Sequence, residues 1–153
     1  MFTRKTICLL AAYPLLFSCV STKSTLKNVD ANAPIPKVSK ASSFILTTIS
    51  TDPKYGYDKD YPINVFYRSS VWEEVNQKLF LDALAGPNGE AIQYKRVGIC
   101  CPFPSKNVNT GGGFLDIYEI TYDGLSKPIV IYLNKYEKGV LMAPMGFTIK
   151  KIN

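Results

Sequence analysis

The runs FLDIYEITY, Phe114 to Tyr122, and PIVIYLN, Pro128 to Asn134, decide the fold class. Both are dense in β-branched and aromatic residues, which fit a pleated sheet. Asp123-Gly124 opens the turn between them, so the two are predicted to pair as a hairpin, although the five-residue connection exceeds the tightest form. Toward the C-terminus, Val140 to Met142 and Phe147 to Lys150 are expected to finish the sheet, split by Pro144 and Gly146. Upstream, Ala91 to Cys101 reads as a strand with mixed faces. Pro102, Pro104 and the run Gly111-Gly112-Gly113 bracket a loop.

The one helix expected from spacing runs from Val71 to Ala85. Ser70 and Glu73 fit a capping box, in which each side chain satisfies the other residue's backbone N–H. Trp72, Val75, Leu79 and Ala83 recur at three- and four-residue steps and define an apolar face, widened by Phe80 and Leu84. Glu73, Glu74, Gln77 and Lys78 fall mostly off that face. Gly86-Pro87 ends the helix. Before it, Ser43 to Ser50 and Ile63 to Arg68 read as strands around a loop, Thr51 to Pro62, dense in turn formers and tyrosine. The expected class is α+β, a single small domain of mostly antiparallel sheet with one helix packed on it.

Residues 1–18, 19–41 and 42–153 divide the chain by composition. Arg4 and Lys5 precede an apolar run, Ile7 to Phe17, interrupted by Pro14 and too short for a spanning helix, which needs about 20 residues. Residues 20–41 are rich in Ser, Thr, Lys, Asn and Ala, with Pro34 and Pro36. They read as a flexible linker with too little apolar content to offset ordering entropy. The rest, about 110 residues, suits one core. The chain has 18 Lys+Arg against 12 Asp+Glu, but from residue 41 onward the count is 12 against 11. The domain is therefore nearly neutral, and no nucleic-acid partner is expected.

The sequence contains no histidine, which removes Ser-His-Asp and Cys-His nucleophile activation in their common forms. No catalytic residue, metal site or cofactor is expected. Asp52, Asp58 and Asp60 invite a calcium reading, but the loop lacks the remaining EF-hand positions, and Asp-rich turns commonly bond their own backbone. Asp116 and Glu119 are polar residues on a strand that would have to converge to act as paired carboxylates. Tyr55, Tyr57 and Tyr61 form either a binding surface or a cap on the sheet.

Cys100-Cys101 is the candidate redox pair. Three states are open: free thiols, a vicinal disulfide acting as a switch, or two soft metal ligands short of the usual four. Adjacent strand residues point to opposite faces, which argues against an easy disulfide. Pro102 restricts Cys101 to extended backbone.

Leu16-Phe17-Ser18-Cys19 resembles the lipobox of bacterial lipoproteins, with Ser18 at the cut and Cys19 as lipid acceptor; Phe17 is bulkier than the pattern prefers. The resemblance implies a signal peptide over 1–18 and a membrane anchor through lipid on Cys19. Two or more acyl chains would make that anchor durable. The stretches TDPKYGYDKDYPINV, FLDALAGPNGE, ICCPF and LDIYEITYDGLSKPIVIYLNKYEKG resemble a family of short, uncharacterised lipoproteins from Bacteroidota, over most of residues 44–147. Members are sometimes labelled 2-dehydro-3-deoxyphosphooctonate aldolase. That enzyme is a (β/α)₈ barrel, which takes about 250 residues, so the label does not fit this length.

Val20-Ser21-Thr22-Lys23 carries no acidic export signal of that phylum, and no Asp follows Cys19. Both point to the outer membrane, facing the periplasm. The expected role is a non-catalytic envelope domain that binds or braces a protein or glycan. The alternatives are a thiol-dependent redox protein or enzyme using Cys100 and Cys101, or an inhibitor or immunity-type lipoprotein.

Overall fold

The computed structural model describes residues 24–66 and 73–151. Among them the elements are β1 (Ile63–Asn64), α1 (Glu73–Leu81), β2 (Leu84–Ala85), β3 (Ile92–Pro104), β4 (Gly112–Tyr122), β5 (Ile129–Asn134) and β6 (Thr148–Ile149). The class is α+β: one helix and a mostly antiparallel sheet in one small domain. The main sheet has the order β1-β5-β4-β3, and β2 and β6 form a separate two-stranded pair.

The hairpin of β4 and β5 forms as the sequence predicts, with Asp116 opposite Leu133 and Ile120 opposite Ile129. Directly opposed residues share a face. Asp116, Tyr118 and Ile120 therefore lie on one side with Leu133, Ile131 and Ile129. The core on that side joins Phe80, Leu81, Tyr118, Ile120, Ile131 and Leu133 with Phe44, Leu46, Tyr55 and Ile63. A smaller cluster on the other side is built on Leu26, Phe103 and Leu115.

Four expectations change. The helix ends at Leu81, not Ala85, because Leu84 and Ala85 pair with Ile149 and Thr148, and the Ala83 carbonyl accepts from Lys150 N at 2.9 Å. A tertiary partner thus claims backbone that local spacing assigned to the helix.

The buried face of α1 is also rotated. Asn76, Gln77, Phe80 and Leu81 are buried, Leu79 is half-buried, and Val75 is 38% exposed. Trp72, Ser70 and the Glu73 side chain lie outside the described residues.

Ser43 to Ser50 forms no strand. It touches neighbours through the isolated bridges Val38–Phe44 and Ile49–Ala143, while Phe44 and Leu46 enter the core. Likewise Val140 to Met142 and β6 stand apart from the main sheet.

The fourth change concerns residues 24–41, assigned by composition to a free linker. They lie against the domain. Lys27 N donates to Asp60 O at 2.9 Å and Asp30 N to Lys138 O at 2.8 Å. Buried Asn64 donates Nδ2 to the carbonyls of Lys27 and Asn28, and its Oδ1 accepts from Asn134 Nδ2 at 2.8 Å. Composition averages over a segment, whereas one buried leucine and a few backbone bonds suffice to seat it.

The fit at Gly139 is close. A Cβ there would collide with the Asn28 carbonyl and lie 3.1 Å from the Asn64 Cβ. Gly139→Ala is expected to lift the tether while leaving the sheet intact. Trypsin cleavage after exposed Lys27 should then accelerate. An unchanged cleavage rate would show that the neighbours absorb the methyl group.

Candidate functional site

Strand β3 is the outer strand of the main sheet, and it is irregular. Its register against β4 slips between Arg96 and Gly98 and again between Cys100 and Phe103. Such bulges insert a residue, bend the strand and break the alternation of faces. At the second slip Cys100 opposes Leu115 and Phe103 opposes Gly113, so Cys101 and Pro102 stand together against Phe114. Cys101 has φ 57°, in the left-handed region.

Cys100 and Cys101 are joined by a disulfide. The expectation that adjacent sulfurs diverge fails because the bulge removes the regular pleat on which it rests. The expectation that Pro102 holds Cys101 extended fails at the same place. Bonded to each other, the sulfurs are not a thiolate pair for a metal.

Both cysteines are half-buried and pack on the cluster of Leu26, Phe103 and Leu115, beside Val29, Tyr132 and Tyr136. The bulge also carries Phe103 onto the face of Cys100 and Leu115; regular alternation would have placed it opposite. Next to the disulfide the surface is apolar: Ile99 is 56% exposed, Phe114 48% and Val97 45%. Ile99 opposes Asp116, so it shares a face with Phe114 as a diagonal neighbour.

Under this edge lies a buried polar cluster that spacing did not reveal. Asp116, 1% exposed, accepts from Gln77 Nε2 at 2.6 Å and from Arg96 Nε at 2.7 Å. The second Arg96 nitrogen is 2.6 Å from the same carboxylate, and Lys135 Nζ stands 3.9 Å away. The Tyr118 hydroxyl donates to Gln77 Oε1 at 2.9 Å. The hydrogen bond to Asp116 raises the pKa of Arg96. Glu119 lies on the opposite face and pairs with Lys95 at 2.9 Å. The two strand carboxylates therefore do not converge.

The tyrosines of the 51–62 loop divide. Tyr55 is fully buried, with its ring edge-on to Tyr61 at 5.3 Å, so it cannot belong to a binding surface. Its hydroxyl donates to Val140 O and accepts from Met142 N. Tyr57 is half-buried, and its hydroxyl donates to Met145 O at 2.5 Å. Tyr61 is half-buried, with Lys27 Nζ 5.6 Å from its ring centre. Tyr55 and Tyr57 thus bond the 140–145 segment, and Tyr61 lies beside Lys27 of the tether.

Asp52 and Asp58 accept from the backbone N–H of Lys54 and Asp60, both at 2.9 Å, as Asp-rich turns do. Among the described residues no three acidic, cysteine or histidine side chains are grouped to hold a metal. A cleft of about 150 Å³ is lined by Asp82, Leu84, Tyr94 and Lys150, below the usual size for a small-molecule site. Cys19 lies outside the described residues.

Burial pushes the Tyr57 hydroxyl up to about 12, with Tyr122 adding to it, and burial beside Asp116 pushes Tyr118 up to about 12. Burial, then the bond to Asp82, also raises Tyr94. These groups keep their protons in the fold at a pH where an unfolded tyrosine, with a pKa near 10, loses its own. Their contribution is whole below pH 10 and is lost as pH rises toward 12. The denaturant midpoint should therefore fall steadily above pH 10, and phenolate absorbance should rise together with unfolding. A midpoint constant from pH 9 to 11 would contradict the burial of these hydroxyls.

Comparison with protein-family models, curated proteins and solved structures finds no match for the chain.

Proposed function

We propose that the protein is a lipid-anchored lipoprotein of the bacterial envelope, held through Cys19 on the periplasmic side of the outer membrane. Its domain binds an envelope protein without catalysing a reaction. The lipobox-like residues and the resemblance to short Bacteroidota lipoproteins support the anchor. The observation that carries the binding role is the apolar edge of Val97, Ile99 and Phe114.

Two bulges, Pro102 and Pro104 interrupt β3, so an added strand could not continue the ladder along its whole length. Contact is therefore through side chains, and an apolar surface of two aliphatic residues and one phenylalanine favours a protein partner over a glycan.

Two measurements test this. Cys19→Ala should abolish incorporation of a clickable fatty acid; label retained in the variant would end the lipoprotein reading. Crosslinking in intact cells should yield a discrete adduct that Ile99→Lys removes without lowering the denaturant midpoint. An adduct unaffected by Ile99→Lys would end the edge reading.

A second reading rests on the disulfide itself: a dithiol–disulfide switch at Cys100 and Cys101. The bond is half-exposed and thus within reach of a thiol.

A further inference from the structure

We propose that the Cys100–Cys101 disulfide is a latch that holds residues 24–30 on the domain, and that a dithiol reductant opens it. This deepens the switch reading and stands whether or not the apolar edge binds a partner.

Two local preferences oppose the conformation of Cys101. A residue with a Cβ rarely adopts the left-handed region, and a residue before proline is driven toward extended backbone. Cys101 has φ 57° and precedes Pro102. The covalent ring to Cys100 opposes both preferences.

The bulge that results has one further effect. It keeps Phe103 on the face of Cys100 and Leu115, where it meets Leu26. If Cys101 returned to extended backbone, the pleat would resume and Phe103 would turn to the opposite face. Leu26 would then lose one of its two buried partners, and the cluster on which Val29 packs would be opened. The tether would keep its hydrogen bonds to Asp60, Lys138, Asn64 and Val140 and the Lys27–Tyr61 contact, with less apolar packing behind them.

The step balances as thiol–disulfide exchange. A thiolate of the reductant attacks one sulfur, the Cys100–Cys101 bond breaks, and the other sulfur leaves as a thiolate that takes a proton. The second thiol of the reductant attacks the mixed disulfide. The reductant departs as a disulfide, and Cys100 and Cys101 gain two electrons and two protons. The released residues would lengthen the reach of the domain from its anchor by at most about 3.5 Å per residue.

Hydrogen exchange on the full chain, oxidised and then reduced with a phosphine, tests the latch. Peptide mapping should show the segment holding both cysteines two mass units lighter before reduction. On reduction, exchange over residues 24–30 should quicken by about tenfold or more, while residues 115–120 and 129–134 keep their protection. Cys100→Ser combined with Cys101→Ser should show the released state without reductant. Cys101→Gly removes the Cβ penalty at positive φ but not the preference imposed by Pro102, so it should keep residues 24–30 better protected than the double serine variant does.

Equal exchange over 24–30 in both redox states would overturn the latch. So would a loss of protection spreading through the sheet, which would make the bond a general staple. Exchange over 24–30 in Cys101→Gly equal to that of the double serine variant, or a cysteine pair that carries no disulfide under oxidising conditions, would overturn it too.

Discussion

Phe80→Ala is expected to cost about 3–5 kcal/mol, the range for truncating a buried phenylalanine. Phe80 is fully buried on the inner face of α1 and packs in the core that holds Tyr118, Ile120, Ile131 and Leu133. Removing the ring forfeits its burial and leaves a cavity that the surrounding core can close only in part. A domain of this size has about 5–15 kcal/mol in all, so the change consumes a large share.

The comparison with Val75 makes the test specific. Three- and four-residue spacing puts Val75 at the centre of the apolar face, yet it is exposed. Val75→Ala should stay within about 0.5 kcal/mol of the parent. Leu79→Ala should fall between the two, since Leu79 is only half-buried. Urea midpoints decide it: equal losses at Val75 and Phe80 would restore the face that spacing suggests and contradict the observed rotation of the helix.

Arg96→Met is expected to destabilise the domain by about 3 kcal/mol, although Arg96 lies partly in solvent. The cost arises at its partner. Asp116 is buried, and removing the guanidinium leaves its carboxylate with Gln77 and a more distant Lys135. Breaking a buried pair on one side costs about 3–5 kcal/mol, because the remaining charge is uncompensated. The lower figure reflects the donor that remains and the access of water on the Arg96 side.

Combining Arg96→Met with Asp116→Leu removes the buried carboxylate but leaves the buried Gln77 amide without that acceptor, so it should recover part of the loss. A double-mutant cycle reads the coupling directly. If the double variant is less stable than Arg96→Met alone, the cluster is a net source of stability and the argument from desolvation fails.

The bland class of the molecule was legible in the chain. The hairpin of Phe114–Tyr122 and Pro128–Asn134 rests on local composition and a short turn, and both survive in the fold as β4 and β5. One helix in this stretch was legible for the same reason, because its signals lie within a few residues of one another, but its end at Leu81, short of Gly86-Pro87, was not. The Asp-rich turn was also readable, since an Asp two residues before a free N–H needs no tertiary partner.

Distant contacts decided the rest. Val75 and Gln77 exchanged places relative to their hydropathy because Gln77 has two partners, Asp116 and Tyr118, about forty positions away. Leu84 and Ala85 left the helix because Ile149 and Thr148 offered a strand. The tether docked because Asn64, Gly139 and Leu115 together form a seat that no window of the tether contains.

The candidate site depends on this second kind of information. A pair of adjacent cysteines states only that a bond is chemically conceivable, and a regular strand would keep them apart. Two slips of register against β4 bent β3 and let the sulfurs meet. Sequence alone determined which residues can be strand, helix and turn, because those preferences are local. The three-dimensional structure decided which faces are buried, which backbone is left-handed and which sulfurs are joined, because each depends on what the rest of the chain places opposite.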